Sequence, residues 1–201
     1  MREDKRQDLL RGAVRVFAAD GFSRASIQSL AAEAGVSTRT IYNQYGNKED
    51  LFRAVVLDSA TRVAERQIAV AEKYLARVAD LRADLIAFGR AWSVRDPESR
   101  DHFRMVAQIN ADVEHIAPDV LAGWRAAGPD RVRAAIGELL VARDGAGRLR
   151  IEDGELAAVH LINLTAGSVG GVSGTGRALA HAEEERIVAA GVDVFLAAYG
   201  R

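Results

Sequence analysis

Residues 26–48 read SIQSLAAEAGVSTRTIYNQYGNK, and the fold is decided there. Ser26 is a candidate N-cap, and Ile27, Leu30, Ala31 and Ala34 behind it form one apolar stripe at helical spacing. Gly35 stops that helix, and after Val36 a second cap, Ser37, starts another. Two residues between helices leave no room for an antiparallel hairpin, so a steep crossing is expected, as in a helix-turn-helix. The helix over 38–45 has one plain aliphatic, Ile41, with Tyr45 on the same face; its other side chains offer hydrogen-bonding groups. Gly46 closes it. Asn47 caps the next helix, with Asp50 three residues on in the capping-box position.

Working outward, Leu9, Ala13, Val16 and Phe17 follow helical spacing up to a stop at Asp20-Gly21. Downstream, a long helix is expected from Lys48 to about Ala71. Others follow at roughly 74–93, 97–113, 117–141, 152–172 and 183–199. Pro97, Pro118 and Pro129 sit near helix starts, and Pro129 is placed to split the 117–141 segment. Strand-like alternation is lacking, so the fold class is all-α with about nine helices.

The chain has 201 residues, 49% hydrophobic and 27% charged, with a net charge of -1, the balance of a soluble globular protein. It has no cysteine, which excludes disulfides and thiol chemistry. The charged start Met1 to Asp8 does not look like a signal peptide. Charges are expected to break every apolar stretch before the roughly 18 residues of a membrane span, so a cytoplasmic protein with no membrane partner is expected. His102, His115, His160 and His181 include no pair at metal-ligand spacing, and no metal or cofactor is expected. His102 reads as a surface partner of Asp101.

Residues 1–60 carry nine Lys+Arg against eight Asp+Glu, so no strong basic field announces nucleic acid. Any DNA contact must come from the placement of a few side chains. The 38–45 helix suits that role. Ser37, Thr38 and Arg39 stand at its N-terminal end, the part that reaches base edges in the major groove, with Thr40 and Asn43 among its outward groups. Arg39 can pair with guanine O6/N7, a contact giving about 1–3 kcal/mol of discrimination. Tyr42 can offer its hydroxyl to a phosphate, and so can Ser26 with the free N–H groups of its helix end. Lys48 would add a charge beside the DNA backbone. A solvated polar helix would have the same composition, and the flanking pattern decides between the two.

That pattern, Ser26-x-x-x-Leu30-Ala31-x-x-Ala34-Gly35-Val36-Ser37-x-x-x-Ile41-Tyr42-x-x-Tyr45-Gly46-Asn47-Lys48-Glu49-x-Leu51-Phe52, resembles the DNA-binding domain of TetR-family transcriptional regulators. Gln44 stands where His is common, Tyr45 where Phe is common, and Asn47 where Ser is common; no cap or anchor is lost. The resemblance implies a DNA-binding domain over 1–47 and a helical effector-binding and dimerisation domain over 48–201. It implies a homodimer on double-stranded operator DNA, usually a repressor released by a small apolar or amphipathic effector.

It further implies a four-helix dimer interface from the last two helices, where Gly167, Gly170, Ile187, Gly191, Val194 and Phe195 are the candidate contacts. Glycines inside a helix each cost roughly 1 kcal/mol and call for a reason such as close helix approach. The alternative is that the helix ends near Gly170 and leaves 171–176 as loop. For the effector, Phe88, Trp92, Phe103 and Trp124 supply apolar surface, and Asn110, His160 and Asn163 supply polar groups on otherwise apolar segments. The rival reading is a helical enzyme using His160 as acid or base. It lacks a second catalytic group at a defined spacing, so no catalytic residue is expected.

Overall fold

Each segment with apolar residues at helical spacing is helical in the computed structural model, which describes residues 3–77, 79–94, 97–145, 147–173 and 178–201. In chain order these are α1 (Glu3–Arg24), α2 (Ile27–Glu33), α3 (Thr38–Tyr45), α4 (Lys48–Leu75), α5 (Leu81–Ser93) and α6 (Pro97–Ala111). After a 3-10 turn (Val113–His115) come α7 (Pro118–Ala127), α8 (Pro129–Gly145), α9 (Gly154–Ile162), a π-turn (Asn163–Gly167), α10 (Ser168–Ser173) and α11 (His181–Tyr199). The described residues contain no strand, and Leu149 and Gly200 form a lone antiparallel bridge.

Three boundaries differ from expectation. No breaker interrupts the pattern after Ala71, so α4 runs on to Leu75, and α5 begins only at its Asp80 cap, whose carboxylate accepts from the Ala83 N–H. Gly128, φ -118 and ψ -99, divides the 117–141 segment just before Pro129. The glycine-rich end of the 152–172 segment stays helical through Gly170 and Gly171 to Ser173; positions 174–176 of the alternative loop lie outside the described residues.

The chain forms two compact units, Met1–Ala64 with Arg95–Pro129, and Glu65–Val94 with Asp130–Arg201. The first does not end at the expected 47/48 boundary. Its core joins Leu9, Leu10, Ala13 and Phe17 of α1, Leu30 of α2 and Ile41 of α3 to Leu51, Phe52, Val55 and Val56 of α4. Met105 and Ile109 of α6, with Ile116 and Val120, complete it. The Phe52 ring meets Phe17 edge-on at 4.9 Å and Phe22 at 4.8 Å. Helix α1 packs along α6 and ends its regular run at Gly21, which has φ 72. A Cβ there would lie 3.2 Å from Gln108 Oε1 and 3.3 Å from Asp112 Oδ2. His102 is no surface residue: it is buried, and its Nδ1 lies 2.9 Å from the equally buried Ser59 Oγ. A buried imidazole needs such a partner.

In the second unit, α5, the π-turn and α11 pack together around Leu85, Phe88, Leu161, Thr165, Val188, Val192 and Phe195. The expectation about charge spacing fails here. Positions 156–173 carry no Asp, Glu, Lys or Arg, and Gly154–Ser173 is one helical run long and apolar enough to cross a membrane by length and composition. Its polar interruptions are His160, Asn163, Thr165 and small residues rather than charges.

Candidate nucleic-acid interface

Three caps, each closed over a spacing of three residues, set the geometry of the first unit's exposed end. The Ser26 hydroxyl accepts from the Ser29 N–H at 3.0 Å, and the Ser26 N–H donates to Ser29 Oγ at 3.1 Å, a full capping box made by two serines. Gly35, with φ 63, turns the chain out of α2, and the Val36 N–H returns to the Ala31 carbonyl at 3.0 Å. The Ser37 hydroxyl then accepts from the Thr40 N–H at 3.1 Å and starts α3. Gly46, φ 81, ends it, and Asn47 Oδ1 accepts from the Asp50 N–H at 2.7 Å to start α4. The Asp50 carboxylate accepts from the Asn47 side-chain amide at 3.0 Å, a side-chain bond that takes the place of the reciprocal bond of a full capping box.

Between those caps α3 has one fully buried side chain, Ile41. Tyr45 is half-buried on the same side, and burial pushes its phenol above the ordinary tyrosine value. The opposite side is open: Arg39, Tyr42, Asn43 and Gln44 are all exposed, Tyr42 to 52%. Thr38 and Thr40 are half-buried, and Thr40 Oγ1 lies 2.8 Å from Ser37 Oγ. The helix is also braced from behind. Gly12 of α1 lets that helix approach α2 so closely that a Cβ would stand 3.2 Å from Ala34 Cα. Arg15 Nε and Glu33 Oε1 form an ion pair at 2.6 Å between the same two helices.

Lys48 differs from its expected role. Its ammonium turns inward, donating to the Phe22 carbonyl at 3.0 Å and the Ala25 carbonyl at 3.1 Å, and sits 4.5 Å from the Phe22 ring centroid. The first α4 residue thus ties down the α1–α2 connection, because the kink at Gly21 and the cap at Ser26 leave carbonyls there without helical partners. Lys48→Met keeps the aliphatic stem and removes the donors. Leaving part-buried carbonyls unpaired costs about 1–3 kcal/mol, so a thermal melt should shift down by several degrees. An unchanged midpoint would show that water replaces the ammonium at no cost.

One residue not singled out from sequence belongs to this end. Lys5, exposed on α1, lines an open hollow with Ser37, Thr40, Asn43 and Gln44. Nothing in the spacing of Lys5 marks it, since α1 and α3 meet only in three dimensions.

The other candidates are divided between the units. Phe103, Asn110 and Trp124 belong to the first; Phe88, Trp92, His160 and Asn163 belong to the second. Phe88 is fully buried with Trp92 at 5.1 Å between ring centroids. Phe103 and Trp124 are half-buried, and Trp124 Nε1 is a buried donor without an acceptor among the described residues. The three polar candidates, which stand on otherwise apolar segments, are exposed. His160 Nδ1 lies 2.6 Å from the Tyr199 hydroxyl.

Among the candidates for a dimer face, Gly191 and Phe195 need correction. Phe195 is fully buried in its own unit and stacks on Tyr199 at 4.7 Å, and Gly191 is buried against the π-turn. Period 3.6 had placed them with Val194, but they point inward while Val194 is 55% exposed. Ile187 is half-buried, Gly167 and Gly170 are exposed, and no atom of the described residues would meet a Cβ at Gly170 within 4 Å.

Residues 9–55 match the family described as bacterial regulatory proteins, tetR family. Residues 83–201 match the AefR-like transcriptional repressor C-terminal domain. Among curated proteins, the chain is 39% identical over 62 residues to the HTH-type transcriptional repressor AcnR of Corynebacterium glutamicum, 31% of this chain and 33% of that protein. It is 38% identical over 74 residues to AcnR of Corynebacterium diphtheriae, 37% of each. The chain thus spans about a third of the length of the curated relatives it matches. Among solved structures, a Mesorhizobium loti protein assigned to the TetR family superposes with a TM-score of 0.84 at 24% identity, over 98% of both chains. The flavonoid-responsive regulator FrrA superposes with a TM-score of 0.75 at 25% identity, over 99% of this chain and 98% of its own.

Proposed function

Because the chain belongs to the TetR family of bacterial transcriptional regulators, we propose that it is a homodimeric DNA-binding repressor released by a small amphipathic effector. The observation that carries the DNA-binding part is the two-sidedness of α3: Ile41 anchors it, and Arg39, Tyr42 and Asn43 stand free on the other side. In this reading Arg39, Thr38 and Ser37 approach base edges, while Tyr42, the Ser26 end of α2 and Lys5 meet phosphates. Lys48 acts indirectly, by holding the α1–α2 connection. The AcnR relatives are repressors by name, which supports the direction of control.

Tyr42→Phe tests the assignment of positions. One phosphate hydrogen bond is worth about 0.5–1.5 kcal/mol, so binding to operator and to unrelated DNA should weaken together by roughly two- to tenfold. The exposed site leaves the thermal midpoint unchanged. A loss confined to the operator would make Tyr42 a reader of bases.

A dimer requires a face that is free in the single chain. Leu156, His160, Asn163, Gly167 and Gly170 recur at helical spacing along α9–α10 and are exposed, as is Val194 of α11. Apolar and small residues on an exposed face fit contact with a second copy. Two such chains would place their recognition helices about 34–36 Å apart, in successive major grooves. In this reading the protein works in the cytoplasm, and the apolar run Gly154–Ser173 serves packing and assembly rather than a membrane.

For the effector, the aromatic candidates keep the stronger claim, since the polar ones are exposed. FrrA, similar over nearly the whole chain, is named for its response to flavonoids, which suits a planar amphipathic molecule beside the aromatic pair Phe88 and Trp92 of the second unit. Such a molecule weakens DNA binding by the difference in its affinity for the two conformers. A family of regulators leaves the enzyme reading without support beyond His160 itself.

A further inference from the structure

The π-turn Asn163–Gly167 interrupts a helix whose sequence contains nothing that forces an interruption. Such turns are rare, arise where one extra residue is held within an α-helix, and often mark functional positions. What surrounds this one explains how the extra residue is kept. Gly191 of α11 is so near that a Cβ would stand 1.8 Å from the Leu164 carbonyl oxygen and 2.5 Å from its carbon. Only glycine leaves room for that carbonyl. The turn's own side chains fit the wider register: Ser168 Oγ donates to the Asn163 carbonyl five residues back at 2.9 Å, and Thr165 Oγ1 donates to the Leu161 carbonyl at 2.6 Å. A third element touches the same point. A Cβ on Gly89 of α5 would lie 2.9 Å from Thr165 Cβ and 2.8 Å from Val188 Cγ1 of α11.

We propose that this turn is a two-state joint that exchanges a π register, with the Leu164 carbonyl lodged against Gly191, for an α register in which that carbonyl withdraws along the helix axis. The joint passes displacements between α5, which carries Phe88 and Trp92, and the α9–α11 face. Withdrawal of the carbonyl frees α11 to move toward α9, and a shift of α5 acts on the joint through Gly89 and Thr165. The contacts are close-packed and discrete, so the element takes one arrangement or the other rather than deforming continuously. The role in regulation rests on the proposed repressor reading; the two registers do not.

Deletion of Ala166 removes the surplus residue and fixes the α register while leaving the flanking faces in place. Gly191→Ala in the full-length turn should lower the thermal midpoint by roughly 5 °C or more; in the Ala166-deleted chain the same substitution should cost little. The operator affinity of the deletion variant, measured on a duplex that the unaltered protein selects from random DNA, should differ from the parent by about tenfold at unchanged dimer mass. Additive effects of the two changes would overturn the registers. Rescue with parental operator affinity would overturn the joint and leave a passive packing feature. Should the unaltered protein select no DNA, the repressor reading fails, and the registers are still tested: additive effects in the stability cycle, or no μs–ms exchange of the amides of 161–168 in relaxation-dispersion NMR of the unaltered protein, would overturn them.

Discussion

Ile41→Ala is expected to abolish specific DNA binding and to destabilise the first unit together. Ile41 is the one fully buried side chain of α3, and an eight-residue helix has little stability of its own. Truncating a buried isoleucine to alanine costs about 2–5 kcal/mol, so the melting midpoint should drop by roughly 5–15 °C. Affinity for operator should fall by more than about a hundredfold, because a loosened helix must be re-ordered on the DNA. Asn43→Ala, on the exposed side of the same helix, is the contrast: an unchanged melt with altered DNA binding. Circular dichroism and mobility shift on both variants separate the anchor from the reading face. If Ile41→Ala melts lower yet binds operator like the parent, α3 does not carry recognition.

Val194→Arg should halve the mass in solution. Val194 is exposed on α11, so an arginine there disturbs nothing in its own chain. At a contact between two copies it brings an unpaired charge into an apolar patch, and breaking such a contact this way costs several kcal/mol. Light scattering should report a monomer, and operator affinity should drop by about two orders of magnitude as two linked half-sites become independent. Phe195→Ala is the control one residue on: a fully buried ring, whose loss costs about 3–5 kcal/mol of fold stability. Retained dimer mass in Val194→Arg would place the contact elsewhere.

The parts of the fold legible in the sequence are those made over short spacings. Ser26 with Ser29, Ser37 with Thr40, and Asn47 with Asp50 each close a cap three residues away, and Gly35 and Gly46 take the positive φ their positions imply. These carry the helix-turn-helix and its polar outer side. What escaped the sequence depends on partners far along the chain. His102 is buried because Ser59, 43 residues earlier, meets it, and Lys48 turns inward because Phe22 and Ala25 present free carbonyls. Helical spacing placed Gly191 and Phe195 on one side with Val194, but which side faces the core is set by α5 and the π-turn. The register change at Asn163 has no residue signature, since glycine, serine and threonine occur in ordinary helices as well. Asn110, His160 and Asn163 drew notice as polar groups in apolar stretches; exposure gives each access to water and removes the need for a buried partner.

Selection of bound duplexes from a random pool by the full-length protein tests most directly whether two copies read DNA through α3. The sequences recovered should be inverted repeats whose half-sites lie about 10 base pairs apart, centre to centre, and Arg39→Ala should relax the preference at one position in each half. Recovery of a single half-site, of repeats at another spacing, or of no sequence above the starting pool would contradict a dimeric repressor that presents α3 to successive major grooves.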